Sequence, residues 1–249
     1  AKCLIVILLA LELWARTMDN PNLALSTRLL SISFWSTLAS FGPLALQLAP
    51  IPTIMRIRKS GVGALPLLPY SAMANLAFVD FMYGVTTSDP KMIISFGIGT
   101  VIALYHCVQF LRHCPEDAQH LPGTPKIHKL VSLGIVLFTL SSIIVLENES
   151  ASLIVGITSV VLTCAMYISP LCLIVKVIKE KSAKDIPLPF AVVGLINTFS
   201  WVIYGFFVKD DLVLWLPCAI GVLSTSAQIF LNALWGEGER KVVNTVMTV

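Results

Sequence analysis

Charge is what this sequence lacks. Asp, Glu, Lys and Arg make up 12% of the 249 residues, while 56% are hydrophobic and the mean hydropathy is +0.85. A soluble domain carries about 25% charged residues. Half that amount cannot cover a water-soluble globule of 27.1 kDa, which excludes a soluble enzyme and a disordered chain. Lys and Arg number 17 in all, too few for a nucleic-acid surface, and a net charge of +3 selects no acidic partner. Cys3, Cys107, Cys114, Cys164, Cys172 and Cys218 show no CxxC or CxxH spacing, and most lie in apolar runs. They read as small buried hydrophobes, not as disulfides or zinc ligands. No Walker motif, GxGxxG loop or catalytic constellation is present, so neither a nucleotide-driven pump nor an enzyme is supported, and no cofactor or metal is expected.

What the sequence has is long apolar runs. A helix crossing the hydrocarbon core needs about 20 apolar residues. Seven segments qualify: Leu30–Met55, Pro69–Val85, Met92–Leu111, Leu130–Leu146, Ala151–Val175, Leu188–Phe207 and Leu212–Leu234. They are continuous instead of alternating at period two, which favours helices over a barrel. Cys3–Leu11 is too short to span and reads as a signal-like or interfacial helix within an N-terminal tail, residues 1–29. With the N-terminus outside, the cytoplasmic loops hold 12 of the 17 Lys and Arg, among them Arg56, Arg58, Lys59, Lys176, Lys179 and Lys181. The positive-inside bias therefore predicts an outside or luminal N-terminus and a cytoplasmic C-terminal tail, residues 236–249. The host membrane, plasma membrane or endomembrane, is left open. Asn148-Glu149-Ser150 is a sequon on the outer face, but it abuts a span.

The chain also repeats itself at an offset of 118–122 residues. Pro50 answers Pro170, Arg56 answers Lys176 and Pro69 answers Pro187. Tyr83-Gly84 answers Tyr204-Gly205, Asp89 answers Asp210, and Gly99 answers Gly221. Each copy covers three spans, residues 30–111 and 151–235, and residues 112–150 carry the fourth span as a linker. One inserted helix restores orientation, so the copies run parallel. The predicted fold is an all-α membrane protein of seven helices, arranged 3+1+3. Two like halves about an axis along the membrane normal can rock and expose a central cleft alternately to the two sides.

Within that frame a few residues are out of place in lipid. Proline in a helix interior removes a hydrogen bond and clashes with the preceding turn, at about 3 kcal/mol. Pro50 and Pro170 fall inside long spans at equivalent places and read as a pair of hinges, while Pro69 and Pro187 open the second and sixth spans. Asp80 is the one carboxylate well inside a span, at about 2.5–3.5 kcal/mol on insertion scales. It stands four residues before Gly84, as Trp201 stands four before Gly205, so the repeat sets the two at equivalent places facing the cleft. An indole offers a flat apolar face, and a carboxylate accepts two hydrogen bonds from a polar ligand. Proton carriage or structural pairing remain open for Asp80. His106, Gln47, Gln109, Gln228 and Asn232 read as interhelical hydrogen-bonding groups.

Several motifs together resemble the MtN3/saliva repeats of the eukaryotic SWEET sugar transporters, a PQ-loop family. They are Ala49-Pro50-Ile51-Pro52-Thr53 with the basic run after it, Leu68-Pro69-Tyr70, Tyr83-Gly84, Tyr167-Ile168-Ser169-Pro170, Lys179-Glu180-Lys181-Ser182, and Ser200-Trp201 through Tyr204-Gly205. The likeness runs from about Leu38 to Trp235. It implies a facilitative, bidirectional sugar uniporter, with a mono- or disaccharide as substrate, the lipid bilayer as surroundings, a homotrimer as assembly, and no nucleic acid. It carries over a functional proline tetrad onto Pro50, Pro69, Pro170 and Pro187, and a sugar pocket onto Asp80, Trp201 and Asn197, with Leu76 as the first-repeat equivalent of Asn197. The sequence departs from the family where an asparagine is usual in the third and seventh spans, three residues before a glycine: here stand Phe96 and Cys218. Neither donates and accepts as an amide does. Two other readings stay in view: a PQ-loop carrier of an amino acid or other solute, proton-coupled through Asp80, and a seven-helix receptor or cargo-sorting protein.

Overall fold

The computed structural model describes residues 25–63, 65, 67–114, 124–183, 186 and 188–236. The signal-like segment, Pro187 and the C-terminal tail beyond Gly236 lie outside the described residues. The described residues form eight α-helices and a π-helical turn: α1 Leu25–Leu48, α2 Ile51–Ser60, α3 Leu68–Thr86, α4 Pro90–Arg112, α5 Pro125–Val145, α6 Asn148–Glu180, α7 Leu188–Ile203 running on as the π-helix Tyr204–Lys209, and α8 Leu212–Trp235. Two differences from the predicted spans have physical causes. The first span is broken in two, because Pro50 cannot donate its hydrogen bond and takes φ −73° and ψ −9° as the cap of α2. Helical hydrogen bonding resumes at once, from Ile54 N–H to the Pro50 carbonyl at 2.9 Å, so the break is a kink and not a loop. Gly61 then stops α2 at φ +75°, a conformation that favours glycine, and returns its N–H to the Ile57 carbonyl at 2.8 Å.

Among the described residues six helical stretches are long and apolar enough to cross a membrane. The helix at the second span, α3, is not among them. It carries Ser71, Asn75, Asp80, Tyr83 and Thr86 and buries all of them. Polar groups facing inward are how a span of low hydropathy survives in lipid. Large apolar side chains face outward elsewhere, as with Leu130, Leu133, Leu137 and Phe138 on α5.

The chain packs as two compact units, Ser40–Met166 and the residues up to Ala39 together with those from Tyr167 onward. In the first, α3 packs along α4, α2 closes on α4, and α5 lies against α3. The stripe α5 turns to α3 is partly polar. Thr139 and Ser142 are buried on it, and His128 Nδ1 meets Ser71 Oγ at 2.9 Å. In the second unit α7 packs along α8.

Each unit contains the same local design. At one end, side chains from the first helix, the loop and the third helix of a repeat close a small core, joined in the first repeat by Tyr70 of the second helix. In the first repeat these are Ile54, Ile57, Val62, Leu67, Tyr70 and Phe110; in the second, Val177, Ala183, Ile186 and Leu231. At the other end the second and third helices meet so closely that only glycine fits. A Cβ on Gly84 would stand 2.7 Å from Met92 Cβ, and one on Gly205 would stand 2.9 Å from Leu214 Cβ. The turn that follows is also shared. Ser88 and Asp210 are left-handed at φ +53° and +51°. Asp89 and Asp211 then cap α4 and α8, Asp89 accepting from Lys91 N–H at 3.0 Å and Asp211 from Val213 N–H at 2.9 Å.

This corrects one register in the repeat: the counterpart of Asp89 is Asp211, not Asp210. The cause is an extra residue between Gly205 and Asp211. The first repeat closes its turn with a bond from Asp89 N–H to the Gly84 carbonyl at 2.8 Å, and the second with Asp211 N–H to the Gly205 carbonyl at 2.9 Å, spanning one residue more. The surplus residue is taken up by widening the helix into a π-turn, the usual consequence of a one-residue insertion in a helix.

Candidate functional site

In the first unit, Leu76 and Asp80 sit one turn apart on α3, and Phe96 stands on α4. The Asp80 carboxylate is buried, at 7% exposure, and its Oδ1 accepts a hydrogen bond from Ser159 Oγ on α6. Leu76 and Phe96 are half-buried. Ser159 is itself buried, at 6%. Sequence reasoning missed it, since a serine in an apolar run carries no signal until its partner across the bundle is known.

In the second unit, Asn197 and Trp201 stand one turn apart on α7, with Cys218 on α8. The Trp201 ring is buried, and Tyr204 stands edge-on to it at a centroid distance of 5.6 Å. Asn197 is half-buried, and its Oδ1 has no hydrogen-bond partner among the described residues. A buried amide oxygen without a donor is costly, which makes it a ready acceptor for a ligand hydroxyl. Cys218 is half-buried and forms no disulfide among the described residues. Behind Asn197, Ala191, Leu195 and Ile229 pack as a core, and Gly194 lets Thr225 approach. That packing fixes the rotation of α7. Phe199 meets Trp35 of α1 edge-on at 4.9 Å.

The structure thus brings Asp80 to Ser159 within the first unit and Asn197 to Trp201 along one helix of the second. Asp80 and Trp201 belong to different units. Of the prolines, Pro50 sits at the kink between α1 and α2, Pro69 in the first turn of α3, and Pro170 inside the 33-residue α6. Pro43 is a further proline, buried within α1, that the sequence reading passed over.

Among the described residues no interhelical hydrogen bond is formed by His106 or Gln47. Both side chains are buried on or against the inner face of α4, and neither His106 Nε2 nor Gln47 Oε1 has a partner among the described residues. Gln228 bonds back to the Ser224 carbonyl of its own helix at 3.4 Å.

Known proteins share this organisation. The family described as "Sugar efflux transporter for intercellular exchange" (MtN3_slv) matches residues 33–118 and 153–237, one match per repeat. The bidirectional sugar transporter SWEET4 of Arabidopsis thaliana is 31% identical over 196 residues, covering 77% of this chain and 77% of its own length. SWEET7b of Oryza sativa subsp. japonica is 31% identical over 79% of this chain and 74% of its own length. A solved eukaryotic SWEET transporter superposes with a TM-score of 0.73 at 22% identity, over 84% of this chain and 98% of that one, which establishes the 3+1+3 fold. Two matched repeats and relatives of this identity leave one conclusion: the chain is a multi-pass membrane protein that belongs to the SWEET (MtN3/saliva) family of sugar transporters.

Proposed function

We propose that this protein is a facilitative, bidirectional sugar uniporter that works by alternating access. The observation that carries the reading is the duplicated module. Each copy has the same glycine contact, left-handed turn and aspartate cap at one end and the same apolar closure at the other. Two rigid copies joined through long helices can rock as bodies. Pro50, Pro69, Pro170 and Pro187 are the points of flexure. Pro50 and Pro170, within long helical runs, leave a carbonyl unbonded in the preceding turn and let the helix bend there, and Pro69 and Pro187 mark where a loop passes into a span.

In this reading Asp80 and Trp201 hold the substrate, a mono- or disaccharide. The indole offers a face to the ring, the carboxylate accepts from hydroxyls, and Asn197 Oδ1 accepts a further one. Leu76, Phe96 and Cys218 line the remainder with groups that hydrogen-bond weakly or not at all, which favours a sugar or sugar face poorer in hydroxyl contacts. The N-terminus faces outward and the basic loops face the cytoplasm.

A second reading keeps the fold and couples another solute to protons through Asp80; the loss of both family asparagines favours it. Flux of labelled glucose and sucrose into and out of proteoliposomes, with and without a pH gradient, separates the two. The uniporter reading expects equal exchange in both directions and no effect of the gradient. The Pro170→Ala variant is expected to fold and to slow that exchange severalfold. Uphill, gradient-driven uptake overturns the uniporter, and wild-type flux in Pro170→Ala removes the hinge.

A further inference from the structure

Asp80 is an unusual group to find buried in a span, and the structure gives it one hydrogen bond. Among the described residues its sole partner is Ser159, whose Oγ–H donates to Oδ1. No Lys, Arg or His pairs with it among those residues. An ionised carboxylate has about four acceptor positions. A single hydroxyl occupies one, so Oδ2 is left entirely to whatever else enters.

The location of Ser159 matters as much as the bond. It stands on α6, in the stretch up to Met166 that packs with the first repeat, 11 residues ahead of Pro170. Asp80 stands on α3. The hydrogen bond therefore joins two helices that are far apart in sequence, and both of its side chains are withdrawn from solvent. A short aspartate side chain has two soft dihedrals, and a donor fixed on a neighbouring helix removes most of that freedom. The oxygen turned away from Ser159 is then held ready for a hydroxyl donor.

We propose that Ser159 is a positioning residue for Asp80: by holding Oδ1 it aims Oδ2 at a substrate hydroxyl and so sets the affinity for sugar. The inference rests on the reading that Asp80 contacts the substrate. It makes Ser159 a determinant of affinity without direct contact with the sugar. Threonine keeps the hydroxyl in the same place, cysteine keeps the size with a weak donor, and alanine removes the donor. Affinity should follow that order.

The test uses the full chain in proteoliposomes and measures KM and maximal rate for exchange of labelled glucose and of labelled sucrose, with melting in detergent as the check on folding. Ser159→Ala is expected to raise KM about tenfold, as for a lost hydrogen bond to a charged group, with the maximal rate held within about twofold. Ser159→Thr restores KM, Ser159→Cys falls between, and Ser159→Ala adds little further in an Asp80→Asn background. Should Ser159→Ala fail to fold, the Cys and Thr variants carry the same comparison. Wild-type KM in both Ser159→Ala and Ser159→Cys, with a raised KM in Asp80→Asn, overturns the positioning role and leaves the sugar reading standing. A fall in maximal rate and melting temperature at unchanged KM makes the bond a structural clamp and also overturns it. Wild-type KM in Asp80→Asn, or no flux of either sugar by the native protein, removes the substrate role of Asp80 and this inference with it.

Discussion

Replacing Gly84 or Gly205 by alanine tests whether the two repeats are closed by the same close contact. A methyl at Gly84 would stand 2.7 Å from Met92 Cβ and 3.0 Å from Ile93 N; at Gly205 it would stand 2.9 Å from both Leu214 Cβ and Trp215 N. Carbon atoms rest at about 3.5–4.0 Å. The partner atoms are backbone and Cβ, which no rotamer change can move, so the paired helices must part by roughly 1 Å near the contact. Overpacking of this kind costs about 1–3 kcal/mol. The higher helix propensity of alanine returns about 1 kcal/mol, leaving a net loss of about 0–2 kcal/mol. For a chain of this size that lowers the melting temperature by up to about 8 °C. Gly134 supplies the control. It lies in α5 with nothing within 4 Å of an added Cβ, so Gly134→Ala keeps only the propensity gain and should melt about 2–4 °C higher. The assay is thermal melting of purified protein in detergent, with Gly84→Ala, Gly205→Ala, the double variant and the control side by side. The glycines lie in different units, so their effects should add. Were Gly84→Ala and Gly205→Ala to melt at or above Gly134→Ala, the helix pairs would not be in tight contact and the structural equivalence of the repeats would fall.

The register at the second turn gives a paired prediction: Asp211→Ala should destabilise by about 0.5–2 kcal/mol through the lost cap, while Asp210→Gly, relieving a left-handed backbone, should be neutral or stabilising. Equal losses at both positions in a melting assay would restore Asp210 as the cap. Burial pushes the Cys114 thiol above its ordinary value. Since the thiolate is the nucleophile, maleimide labelling of Cys114 at neutral pH should be slower than that of a small free thiol. Its rate should keep rising at a pH where the small thiol has levelled off. Peptide mapping of residue 114 against pH measures this, and a rate matching the free thiol would place Cys114 in water.

What could be read from the sequence, and what could not, divides along a physical line. The spans and the duplication follow from hydropathy and self-similarity, because lipid forces continuous apolar runs and a repeated module must repeat its packing residues. Asp80 and the prolines inside spans were visible as individual residues because each is anomalous in its own segment; Trp201 stood out by its register with Asp80 in the repeat, and Asn197 through the family resemblance. Partners were not visible. Ser159 is ordinary by composition, and only its hydrogen bond from α6 to Asp80 on α3 gives it a role. The exchange of Asp210 for Asp211 was hidden for a different reason. Adjacent identical residues make a one-residue slip invisible to alignment by eye, whereas the backbone resolves it at once, since one residue is left-handed and the next accepts from Val213 N–H. That slip also shows what the module conserves. When a residue is gained between Gly205 and Asp211, the glycine contact, the closing hydrogen bond and the cap all stay in place, and the regular hydrogen bonding of the helix gives way instead. The junction between the second and third helices is therefore held more tightly than the helix leading to it. Under the proposed rocking mechanism a module that moves as one body needs that order of priorities, because the motion would transmit through the junction, whereas a local π-turn just beyond Trp201 leaves the body rigid.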